Sequence, residues 1–82
     1  MKDRLLIIYK NGTVNLMKMA MKAAEILVYR DIEPETTILI TDDIVTEQFI
    51  KENFFNVVLL VNSDFECNFY ELNRIKRIEI NM

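Results

Sequence analysis

Leu5, Leu6, Ile7, Ile8 and Tyr9 form an unbroken apolar run. Through Lys10, Asn11, Gly12 and Thr13 it feeds a second apolar segment that extends to Tyr29. A run without polar alternation is a strand covered on both faces. A covered strand that passes through a short turn into a helix is the opening of a βαβ unit. The only glycine of the chain, Gly12, sits at that turn. This arrangement restricts the chain to an α/β fold more tightly than any other feature does.

The first strand is expected over about residues 4–10, as the central strand. Thr13 is expected to cap the following helix by offering its hydroxyl to a free N–H of the first turn. That helix should run to about Arg30. Its polar positions, Asn15, Lys18, Lys22, Glu25 and Tyr29, recur in steps of three and four, which predicts one narrow solvated stripe with apolar residues around the rest. Met17, Met19 and Met21 lie within five residues. Flexible thioethers of this kind fill irregular core gaps or make an adaptable contact surface, and helical spacing favours the core.

Pro34 bars continuation of the helix and pushes Glu33 toward an extended conformation. A β-branched strand is expected over residues 36–40. It ends at Thr41, Asp42 and Asp43, whose short oxygen side chains and negative charge suit a helix start. The second helix is expected over about residues 43–53, with Ile44, Val45, Phe49 and Ile50 inward, and a third apolar strand over residues 55–61. Phe65, Phe69, Leu72 and Ile75 lie at helical spacing, and the charged segment 75–80 reads as an edge strand whose Lys76, Arg77 and Glu79 discourage further pairing; a helix running on to Ile80 is the alternative. The expected fold is therefore a single α/β domain over residues 1–82: a small, mainly parallel sheet, βαβαβ followed by a short helix and a C-terminal edge strand.

Composition narrows the chemistry. There is no histidine and one cysteine, Cys67. These counts exclude Ser-His-Asp and Cys-His nucleophiles, imidazole metal sites, an internal disulfide and a Cys-x-x-Cys pair. With one glycine, neither a G-x-G-x-x-G nor a Walker A loop can be written. The formal charge of −3 opposes a general affinity for nucleic acid phosphates. The N-terminal apolar run is too short for a signal-peptide core or a membrane span. The expectation is a cytoplasmic protein with no membrane partner.

In an open parallel sheet ligands bind beyond the carboxyl ends of the strands. The candidates there are Lys10, Asn11, Gly12 and Thr13, with Asn62 and Ser63, for a ligand. Asp42, Asp43 and Asp64 are the candidates for a divalent metal, such as Mg²⁺ handling a phosphate substrate. The competing reading is that Thr13, Asp42 or Asp43, and Ser63 or Asp64 are helix caps. Acidic Asp64 and Glu66 beside Cys67 disfavour a reactive thiolate. Arg74, Lys76 and Arg77 read as a solvated edge.

The stretch Ile40, Thr41, Asp42, Asp43, Ile44, Val45, then Phe49, then Val58, Leu59, Leu60, Val61, Asn62, Ser63, Asp64, Phe65 resembles the second half of the small DsrE/DsrH sulfur-relay proteins. Those place an Asp-Asp pair at a helix start and a Ser-acidic-Phe sequence after the next strand. The resemblance implies a cytosolic, non-catalytic subunit that assembles through its sheet and helices in sulfur transfer to tRNA.

Taken together, the residues point to a small interaction or regulatory subunit that needs no cofactor and has no catalytic activity of its own, with the sulfur-relay and Mg²⁺-dependent phosphate readings as alternatives. Hydrophobic residues make up 51% of the 82 residues, more than so small a domain readily covers. A homodimer or a constitutive protein partner is therefore expected, through Met17, Met21 and Tyr29 beside Lys18 and Lys22, or through the terminal strand at Ile78.

Overall fold

A computed structural model describes residues 3–66, 70 and 74–82. The elements follow in the order β1 (Asp3–Tyr9), α1 (Leu16–Tyr29), β2 (Pro34–Thr41), α2 (Glu47–Asn53), β3 (Val57–Val61) and β4 (Lys76–Ile80). They build one four-stranded sheet in the order β2-β1-β3-β4, and every pairing is parallel. The small, mainly parallel α/β architecture expected from the sequence is present.

The strand order explains the apolar runs. β1 and β3 lie side by side at the centre, in register from Leu5↔Val57 to Tyr9↔Val61, and all five residues of β3 are buried. Alternate residues feed two separate cores. Leu5, Ile7, Val57, Leu59, Val61, Ile78 and Ile80 meet Met19 and Ala23 of α1 on one face. Leu6, Ile8, Val58 and Leu60 meet Val45, Ile50 and Phe55 on the other. A chain that moves outward from β1 to β2 and then returns past β1 to β3 puts its two crossover helices on opposite faces, because each crossover has the same hand. Both edge strands are partly solvated. β2 sends Ile38 and Ile40 to the α2 side, while Glu35, Thr37 and Leu39 stay exposed, because no β2 residue belongs to the core beneath α1.

The helix starts differ from expectation. Thr13 does not cap α1. Its hydroxyl donates to the Lys10 carbonyl at 2.7 Å, and Asn15 caps instead, its side chain accepting from the Lys18 N–H at 3.0 Å. Asp42 and Asp43 do not cap α2 either. The backbone from Thr41 folds into a turn in which the N–H groups of Ile44 and Val45 donate to the Thr41 carbonyl, and the cap is Thr46, accepting from the Phe49 N–H at 3.1 Å. The turn drops Val45 into the core ahead of the helix and leaves Ile44 outside. The last strand is an edge strand as expected. The helix expected before it falls mainly on Cys67, Phe69 and Leu72, which lie outside the described residues.

The narrow solvated stripe expected on α1 is also corrected. Of its residues only Met19 and Ala23 are buried, and Ile26 and Leu27 pack against them half-buried. Among the described residues nothing packs against the outer side of this helix.

Candidate functional site

Two regions combine exposure with chemistry: the carboxyl edge of the sheet, and the outer face of α1. At the carboxyl edge the connections after β1 and β3 lead to opposite sides of the sheet, the position where doubly wound sheets open a crevice. Lys10, Asn11, Gly12 and Thr13 make the β1 turn there, with the Thr13 N–H donating to the Lys10 carbonyl at 3.2 Å. Gly12 has φ +80 and a Cβ added to it would meet nothing within 4 Å. The positive φ at the third turn position, and not close approach to a ligand, is what requires glycine here.

Asn62, at the end of β3, ties this edge together. It adopts φ 55, a conformation asparagine tolerates. Its amide donates to the Thr13 hydroxyl at 3.4 Å, and its side-chain oxygen accepts from the Met82 N–H at 2.7 Å. Its own N–H donates to the Ile80 carbonyl at 2.9 Å. Ser63 accepts from the Phe65 N–H at 3.2 Å. The ligand candidates Lys10, Thr13, Asn62 and Ser63 are thus brought together, while Asn11 and Gly12 sit exposed at the turn. The side-chain groups of Thr13, Asn62 and Ser63 are engaged with the chain itself. Beside them an open groove of about 560 Å³ is lined by Lys10, Ser63, Asp64 and Glu79 among others. With one lysine against two carboxylates it makes a poor cradle for an anion.

The metal candidates are not brought together. β1 stands between β2 and β3, so Asp42 and Asp43 leave the sheet about 10 Å, two strand spacings, from the strand that leads to Asp64. Among the described residues there is no group of three or more Asp, Glu, His or Cys that could hold a metal ion. Cys67, on which the sulfur-relay reading depends, lies outside the described residues.

The terminal strand presents an edge of different character. Arg77 pairs with Glu66 and, at 2.8 Å, with Glu79. The hydrogen bond it donates to Glu79 holds its guanidinium above the ordinary arginine pKa, opposed by partial burial and assisted by the charge of Glu66. The side chain of Ile78 is buried in the core beneath α1, so a contact through this strand would be made by its open backbone edge.

The outer face of α1 carries a row of exposed apolar residues. Met17 is 75% exposed, Met21 69%, Val28 81% and Tyr29 90%, and Ala20 and Ala24 between them are exposed too. At about 100° per residue, Met17, Met21, Ala24 and Val28 fall on one stripe opposite the buried Met19 and Ala23. Tyr29 lies about a quarter-turn away, on the flank with Lys18 and Lys22. Sequence reasoning missed Ala24 and Val28. Their signal was present in the four-three-four spacing from Met17, but a helix expected to be buried nearly all round assigned it to the core.

No helix among the described residues is long and apolar enough to cross a membrane. Comparison with known proteins returns no matching family model, no matching curated protein and no matching solved structure.

Proposed function

We propose that this chain acts as a small protein-interaction subunit, and that the outer face of α1 is the surface through which it docks. The observation that carries this reading is the exposure of Met17, Met21 and Val28 on a helix whose opposite side buries Met19 and Ala23 in the core. Side chains of this size favour burial by about 1.5–3 kcal/mol each, and methionine adapts to a partner's contours at little cost. The carboxyl edge offers less, because its asparagine, threonine and serine groups bond to the chain itself.

A photo-reactive residue placed at position 21 of the full chain, in the host cell, tests the reading. The expected result is a covalent protein adduct of defined mass that is lost when Val28→Lys is added. Adduct no more abundant than from the same residue at exposed Glu35 would contradict it.

A further inference from the structure

We propose that the partner seated on α1 is a second copy of this chain, with the two α1 helices packed antiparallel across a twofold axis. This rests on the docking reading above and specifies its occupant. The exposed apolar positions Met17, Met21, Ala24 and Val28 advance by four, three and four residues, the d-a-d-a spacing of a coiled-coil seam. The seam lies opposite the core positions Met19 and Ala23, so a helix laid on it meets no part of the sheet.

Charge selects both the partner and the direction. One flank of the seam carries Lys18 and Glu25, both at e positions and both exposed. Among the described residues neither forms an ion pair within its own chain. The other flank carries Ala20 and Leu27 at g positions. In an antiparallel pair the e flanks face each other, so Lys18 of each copy lies against Glu25 of the other and the dimer holds two matched pairs. In a parallel pair e faces g, which sets Glu25 against Ala20 and leaves Lys18 without an anion. The antiparallel twofold also places Met17 opposite Val28 and Met21 opposite Ala24, large against small. An isologous contact of this kind closes on itself as a dimer.

The helix has 14 residues and is about 21 Å long at 1.5 Å per residue. A seam of that length lies at the small end of specific interfaces, so a dimer that dissociates on dilution is expected.

Sedimentation equilibrium of the purified full chain, with circular dichroism as a check on folding, tests the pairing. Lys18→Glu sets two carboxylates against each other at both ends of the seam, and Glu25→Lys does the same with two ammonium groups. Each single variant should dissociate about tenfold more readily. The double variant Lys18→Glu/Glu25→Lys should return to within about twofold of the parent. An equimolar mixture of the two single variants should also associate like the parent, because the mixed pair has both charge contacts matched. A parent chain that stays monomeric up to about 500 µM, a dimer indifferent to the single substitutions, or a mixture that fails to recover would each overturn the self-pairing. If the purified chain is monomeric while position 21 cross-links a different protein in the cell, self-pairing fails and the docking face stands. A monomeric purified chain together with no cross-link from position 21 removes both.

Discussion

Phe54 and Asn62 both hold left-handed backbone, with φ 54 and φ 55, and they do so for different reasons. Phe54 ends α2 with its ring 80% exposed, so little packing compensates the crowding of its Cβ. Phe54→Gly is expected to stabilise the fold by about 0.5–1 kcal/mol in urea denaturation. Asn62 instead uses its conformation to reach both Thr13 and Met82. Asn62→Ala is expected to cost about 2 kcal/mol, since it removes both bonds and keeps the strained φ, whereas Asn62→Gly should recover part of that loss. The sequence marked Asn62 as a candidate because it follows an apolar strand. Its bonds to residues 49 positions before it and 20 after it depend on the topology, which local pattern does not carry. An aromatic residue in a helix-ending αL position leaves no compositional signal at all.

At the level of elements, the strands and α1 were legible because uninterrupted apolar runs and a Pro-bounded connection leave few alternatives. The helix starts were not. Thr13 and Asn15 are both good caps by type, as are Asp42, Asp43 and Thr46, and the later one is used each time because the earlier residues are occupied in turns that end a strand. Asn15→Ala and Thr46→Ala should each lower stability by about 1 kcal/mol, while Asp43→Ala should stay within about 0.5 kcal/mol of the parent. Chemical denaturation of the three variants checks this assignment; a larger loss from Asp43→Ala would return the cap to the acidic pair. The alternation of β2 follows from its place at the edge. Strand order, and not strand sequence, decides that α1 leaves Leu39 uncovered.

For the whole molecule, two small cores back to back make the central strands intolerant of charge. Ile7 and Val58 face opposite cores and are nearly or fully inaccessible, so Ile7→Asp or Val58→Asp should abolish cooperative unfolding. A folded, monodisperse product from either would contradict the central placement of β1 and β3. The same thinness leaves one side of α1 outside any core. A rich apolar composition made an association surface predictable, and Met17 and Met21 lie on it. The terminal strand offered as the competitor directs Ile78 inward.

Backbone NMR of the full chain over a dilution series, from about 1 mM to about 10 µM, addresses this surface most directly. Docking through the outer face of α1 predicts concentration-dependent shifts confined to Met17, Lys18, Met21, Ala24, Glu25 and Val28, with β4 unchanged. Shifts centred on Lys76–Ile80, or a spectrum that does not change with concentration, would contradict the antiparallel pairing of two copies through α1.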